Sequence, residues 1–162
     1  EIELLQFLSA KFGRVSVERV VSGQGLENIY EFLREVKSEV EPVWLAEEIE
    51  VNGDAAAVIS KNGLNGTSSL CEKTLDIFVA IYGAEAGNLA LKMLATGGIF
   101  LGGGIAPKIL SKLQEPVFLE SFFDKGRMRE LLEKVPVRVV LNDKAALLGA
   151  AHFAFCELET KE

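Results

Sequence analysis

The sequence predicts a helix-rich α/β fold built around a parallel strand pair. Two segments carry apolar runs too short for a helix: Gly97–Gly104, whose apolar centre is bounded by glycines, and Val137–Leu141. Most of the remaining chain repeats its apolar residues at helical spacing. Two strands with helices on either side imply a parallel crossover. Two strands alone rarely make a stable sheet, so the sheet is expected to be incomplete. The chain also starts with Glu1 and runs directly into a helical pattern, so the further strands are expected before residue 1, in an N-terminal part lost by cleavage or design.

Each element follows from its punctuation. Ile2, Leu4, Leu5 and Leu8 predict a helix over residues 1–12, ended by Phe12-Gly13. Ser16 offers an N-cap to a short turn, Val17–Val21, which Ser22-Gly23 cuts. Leu26, Ile29, Tyr30, Leu33 and Val36 carry a helix through Val40, stopped by Glu41-Pro42. Residues 44–66 hold one or two short helices, broken at Asn52-Gly53-Asp54 and at Asn62–Gly66. The longest helix is expected from about Ser68 to Leu94, with Ser69 and Glu72 as a capping box. At ~1.5 Å per residue it spans ~40 Å. Gly83 and Gly87 sit inside it four apart. Each costs ~1 kcal/mol against Ala, which close packing of another backbone would explain. After the first strand, Pro107 suits the first turn of a helix. Residues 108–114 and 127–134 are expected to be helical, with Phe118–Gly126 as the connection between them. Asn142-Asp143 caps a last helix from about Lys144 to Cys156, followed by a polar, frayed tail, Glu157–Glu162.

Composition narrows the function. The 162 residues are 49% apolar and 25% charged, which excludes a disordered chain. With 17 Lys+Arg against 24 Asp+Glu the net charge is -7, which argues against a nucleic-acid binder. No apolar run reaches the ~18–20 residues of a membrane span, and no signal peptide is visible. Cys71 and Cys156 are too few for a disulfide framework and have no metal-ligand spacing; they read as reduced core thiols of a cytoplasmic protein. His152 is the one histidine, so chemistry needing two is excluded.

Three constellations could carry chemistry. A strand ending in Gly102-Gly103-Gly104 and turning into a helix lets a purine or phosphate lie against bare backbone. It is neither a Walker A loop nor a G-x-G-x-x-G fingerprint, and tight strand–helix packing would explain the same glycines. Glu18, on a one-turn helix beside a glycine loop, could accept hydrogen bonds from the vicinal hydroxyls of a sugar, or be a solvated charge paired with Arg19 or Arg14. Asp124-Lys125-Gly126-Arg127 reads as a solvated turn.

Five segments, in order, resemble the bacterial glucokinase family, the ATP-dependent group of the hexokinase/actin-like superfamily. They are Phe12–Tyr30, Gly97–Pro107, Asp124–Arg127, Pro136-Val137 and Leu147–Ala151, and together they reach along nearly the whole chain. The resemblance implies a ribonuclease-H-like (actin-like ATPase) fold of two lobes with a sugar cleft between them. Residues 1–143 would form most of the larger, C-terminal lobe. Residues 144–162 would be the final helix and tail, packing on the absent smaller lobe. Glu18 falls on the family's glucose-binding glutamate, and Gly102, Gly103 and Gly104 on the glycine segment beside the adenosine of ATP.

The departures matter equally. The family's phosphate loop, its catalytic aspartate and its Glu-Gly-Gly-His sugar segment have no match here, and Ala146 replaces a glycine before Leu-Leu-Gly. The zinc-containing sister group is disfavoured, because Cys71, Cys156 and His152 do not give its motif. The implied intact enzyme transfers the γ-phosphoryl of MgATP to the 6-hydroxyl of glucose at the start of glycolysis, with glucose, ATP and Mg²⁺ as its ligands. This chain alone, lacking the base, is expected to be inactive. The alternative is a non-catalytic sugar- or nucleotide-binding sensor or regulatory module. The long helix could pack within the lobe or across a homodimer.

Overall fold

The computed structural model describes residues 1–156 in full and the helix backbone through Glu159. The helices are α1 Ile2–Phe12, α2 Gly23–Glu35, α3 Val43–Asn52, α4 Ala55–Leu64, α5 Ser69–Lys92, α6 Ile105–Lys108, α7 Leu110–Leu113, α8 Pro116–Phe123, α9 Arg129–Leu132 and α10 Ala145–Glu159. The strands are β1 Ile99–Leu101 and β2 Val137–Val139, and one-turn 3-10 helices cover Val17–Arg19 and Gly126–Met128. The predicted helix-rich α/β class with one parallel pair is what the structure shows: β1 and β2 run parallel, with Ile99 opposite Val137 and Leu101 opposite Val139.

Helix α5 is the hub. Leu75, Phe78 and Val79 are fully buried along it, and α2, α4 and α8 surround it. It packs inside the chain, as a lobe core would. The close-packing reason for its glycines holds. A Cβ at Gly83 would stand 2.2 Å from the Phe118 carbonyl oxygen, and one at Gly87 2.5 Å from that of Phe122. Two glycines four apart thus receive the backbone of α8 at two residues four apart, one helical turn along each helix. Aromatic contacts run along the same seam, with Tyr82 edge-on to Phe118 and Phe118 stacked on Phe122.

Several boundaries differ from expectation, each for a local reason. The α5 cap is Ser68, whose Oγ accepts from Cys71 N at 3.4 Å, so the expected Ser69/Glu72 box is one residue out of frame. Helix α2 ends at Glu35 and not Val40. Ser38 turns left-handed, φ 54, and Glu39 N donates back to Leu33 O. At its other end Gly23 is the first residue of α2, and Ser22 is the cap, accepting from Gly25 N at 3.0 Å. Phe118–Gly126 is not a connection, since most of it belongs to α8. Pro107 lies third in a four-residue helix, and α7 and α9 are single turns where longer helices were expected. Helix α10 continues past Cys156 to Glu159; the rest of the expected frayed tail, 160–162, lies outside the described residues.

The strand pair has one face on the core. Leu101 is buried, and Ile99, Val137 and Val139 pack against the buried cluster. Phe100 and Arg138 occupy the opposite face, the guanidinium 5.6 Å from the ring centroid, with Phe100 65% exposed. The edges of both strands are uncovered, because the sheet contains β1 and β2 alone among the described residues.

Candidate functional site

Glu18 is the middle residue of the 3-10 turn Val17–Arg19. That turn is locked against the start of α2 by three contacts. A Cβ on Gly25 would lie 1.9 Å from Val20 O, so only glycine lets the start of α2 press on the end of the turn. The buried Asn28 donates from Nδ2 to Arg19 O at 2.8 Å, and the Ser22 hydroxyl donates to Glu18 O at 2.6 Å. Three constraints thus fix the backbone that carries Glu18, whose side chain is itself exposed.

The ion-pair reading of Glu18 does not hold. Among the described residues it forms no salt bridge. Arg19 instead stacks its guanidinium over Phe12, 4.3 Å from the ring centroid, which keeps the cation away from the carboxylate. Glu18 borders two depressions of different chemistry. One is a polar notch of about 270 Å³ shared with Ser16, Arg19, Ser22 and Gln24. The other is a mainly apolar cleft of about 510 Å³, whose walls include Val21, Tyr82, Leu89, Ile99 and Gly102. The notch offers the donors and acceptors that a polyhydroxylated ligand needs. The sequence assigns Arg19 only as an ion-pair partner, Ser16 and Ser22 only as a cap and a break, and gives Gln24 no role. The signal was their crowding into the nine positions from 16 to 24.

The structure brings Glu18 and Gly102 to one cleft, while Gly103 and Gly104 lie in the loop that follows. Tight packing does not account for these three glycines. A Cβ on any of them would meet nothing within 4 Å, although Gly103 has φ +94. The packing glycine of the segment is Gly98, at φ +125, where a Cβ would crowd Pro136 O at 2.9 Å. The loop after β1 is therefore open main chain on the rim of the cleft that contains Glu18.

The remaining titratable candidates are structural or remote. Cys71 is buried as expected, and burial pushes its thiol above the ordinary range, which makes it a poor nucleophile. Cys156 is exposed on α10, which corrects the expectation of a second core thiol; its Sγ lies 3.7 Å from Nε2 of His152, also exposed. The Asp124–Arg127 turn is exposed at Asp124, Gly126 and Arg127, with Gly126 at φ 53. No three His, Cys, Asp or Glu among the described residues gather closely enough to hold a metal ion. No helix among them is long and apolar enough to cross a membrane.

Comparison with known proteins converges on one family. The family model described as Glucokinase matches residues 1–156. A glucokinase of Trichormus variabilis is 47% identical over 163 residues, covering 93% of this chain and 48% of the relative. One from Synechocystis sp. is 46% identical over 93% of this chain and 46% of its own length. Among solved structures, a glucokinase from an Antarctic psychrotroph superposes with a TM-score of 0.76 at 36% identity, over 93% of this chain and 44% of that one. The chain spans about half the length of the curated relatives it matches.

Proposed function

Given that the chain belongs to the glucokinase family, we propose that it forms part of a sugar kinase that transfers the γ-phosphoryl group of ATP to the 6-hydroxyl of glucose, the cytoplasmic reaction that opens glycolysis. One observation supports assigning the two ligands to this chain. Glu18, on a fixed backbone turn and in no salt bridge among the described residues, borders the same cleft as Gly102, the first residue of the open glycine loop after β1. In this reading β1 and β2 are the surviving pair of a ribonuclease-H-like sheet in the larger lobe. Helix α10 packs on the smaller lobe.

The Glu18 carboxylate accepts hydrogen bonds from two sugar hydroxyls and so orients the ring. Ser22 and Gln24 supply further polar contacts from the notch. The main chain of Gly102, Gly103 and Gly104 lies against the adenosine, where side chains would hold a flat ring away. Closure over both ligands excludes water, which would otherwise compete for the phosphoryl group. Magnesium supplies charge neutralisation on the phosphates. The described residues contain no group of three or more His, Cys, Asp or Glu placed to hold it. The general base is supplied by the part of a family-length enzyme that these residues do not span.

The test is a coupled assay of glucose 6-phosphate formation. The chain alone is expected to give no turnover above background. A family-length enzyme containing these residues is expected to turn over, and Glu18→Gln in it should raise the KM for glucose at least tenfold while that for ATP changes less than twofold. Turnover by the isolated chain, or equal effects of Glu18→Gln on both substrates, would overturn the reading.

A further inference from the structure

Ser22, Gly25 and Asn28 follow one another three apart, along one side of α2 and its cap. They meet three consecutive carbonyls of the preceding turn. The Ser22 hydroxyl donates to Glu18 O, Asn28 Nδ2 donates to Arg19 O at 2.8 Å, and Gly25 leaves the space that Val20 O fills. The turn does not need Asn28 in order to form. Its own backbone closes it, with Arg19 N donating to Ser16 O at 3.0 Å and Val20 N to Val17 O at 2.9 Å, and the buried Val20 anchors it in the core. What Asn28 adds is a tie from the turn, just past Glu18, to a fixed point on α2. That tie sets the tilt of the turn, and with it the direction in which the Glu18 side chain leaves the backbone.

The amide is unfavourable where it stands. Asn28 is 1% exposed, and its Oδ1 is closed off from solvent with no hydrogen-bond partner among the described residues. A stranded buried acceptor costs at least as much as one neutral hydrogen bond returns, and an apolar side chain would bury no such atom. Asn62, also buried, is the contrast. Its Nδ2 donates to Glu48 Oε2 at 2.9 Å and to Val58 O at 3.0 Å, and its Oδ1 accepts from the Thr67 hydroxyl at 2.6 Å. Asn62 is thus fully used in holding α4 to its neighbours. Asn28 makes one side-chain hydrogen bond among the described residues, and that bond ends on the turn that carries Glu18. We propose that Asn28 is a positioning residue for sugar binding: by holding the Arg19 carbonyl it aims the Glu18 carboxylate into the polar notch that Glu18 shares with Ser16, Ser22 and Gln24. The proposal deepens the sugar reading of Glu18 and rests on it. Asn28 is closed off from solvent and touches no ligand itself, so its effect on glucose passes through Glu18.

The test is a double-mutant cycle in a family-length enzyme containing these residues, read by the coupled assay. Asn28→Ala should raise the KM for glucose at least fivefold, while kcat and the KM for ATP stay within twofold. Added to Glu18→Gln, it should change the glucose KM less than twofold further, because the carboxylate it aims is already gone; independent roles would multiply the two effects. Asn28→Asp keeps the size of the side chain and loses the donor, and it carries the test if circular dichroism shows the alanine variant to be unfolded. A lower melting temperature with an unchanged glucose KM would make Asn28 structural only and overturn the proposal, as would multiplied effects in the double variant. An unchanged glucose KM in Glu18→Gln would overturn the sugar reading and this proposal with it. A KM raised by Glu18→Gln and left alone by the Asn28 variants overturns the proposal by itself.

Discussion

Gly25 and Gly102 lack side chains for opposite reasons, and that difference is measurable. A Cβ at Gly25 would penetrate the Val20 carbonyl, so Gly25→Ala must push the turn bearing Glu18 off α2. We expect Gly25→Ala to destabilise the chain by ~1–3 kcal/mol in thermal unfolding, the usual range for overpacking. A Cβ at Gly102 meets open space, so Gly102→Ala should leave stability within ~0.5 kcal/mol. If its backbone touches the adenosine, the same substitution in a family-length enzyme weakens ATP binding severalfold by calorimetry. An unchanged ATP affinity would remove Gly102 from the site. Tyr30 gives a pH test at the same scale. It is buried, its hydroxyl donates to Glu41 Oε1 at 2.7 Å, and burial followed by this hydrogen bond holds its pKa well above the ordinary 10.0. The folded chain then keeps a proton that the unfolded chain releases. Stability is fully present below pH ~10 and falls as pH rises beyond it. Tyr30→Phe should cost ~1–2 kcal/mol at neutral pH and flatten the loss of stability between pH 9.5 and 11. A wild-type alkaline slope in the variant would show that Tyr30 ionises normally.

Between elements, the decisive contact is α5 on α8. Gly83→Ala would set a methyl against the Phe118 carbonyl, and neither helix can yield locally because Phe78 and Phe122 are both fully buried beside the seam. We expect a loss of ~1–3 kcal/mol, read as a melting temperature several degrees lower. Helix α5 was legible because a 24-residue element accumulates many apolar positions in phase, and its two glycines foretold a close neighbour. The neighbour itself was not legible. Pro116-Val-Phe-Leu-Glu-Ser-Phe-Phe is apolar on almost every side, so an eight-residue helix there shows no period to detect. The end of α2 was hidden differently. Val36 and Val40 keep the helical spacing, while the left-handed turn at Ser38 depends on where Glu39 can return its N–H. At the site, Glu18 and the glycine loop could be named from the chain. Their meeting at one cleft could not, since they are 84 positions apart with α2 to α5 between them. The α3–α4 clasp gives the acid counterpart to Tyr30. Glu48 accepts from Lys61 and from the buried Asn62, each at 2.9 Å, and these contacts, Lys61 first, hold its carboxyl below the usual range. Its contribution is present above the ordinary carboxylate pKa and lost as pH falls through the lowered one. Glu48→Gln should therefore soften acid unfolding, and an identical acid midpoint would show the clasp to be idle.

For the whole molecule, the question is what α10 is for. It is apolar around most of its circumference, and Leu147, Leu148, Phe153 and Phe155 are each more than half exposed. A helix of that composition belongs in an interior, and four large apolar side chains on one exposed element form a patch that few monomers leave in water. The body does not use it, because its buried cluster runs from Leu4 to Val135 and includes nothing from α10 among the described residues. Two expectations follow from this separation. Removing residues 144–162 should shift the melting temperature by less than ~2 °C and lower the binding of an apolar dye. The same truncation should weaken capture of the co-expressed half of a family-length enzyme that these residues do not span at least tenfold, because α10 would then be part of the surface on which the halves meet. A large drop in melting temperature would mean that α10 folds back on the body in solution. Undiminished capture would leave the final helix to another role.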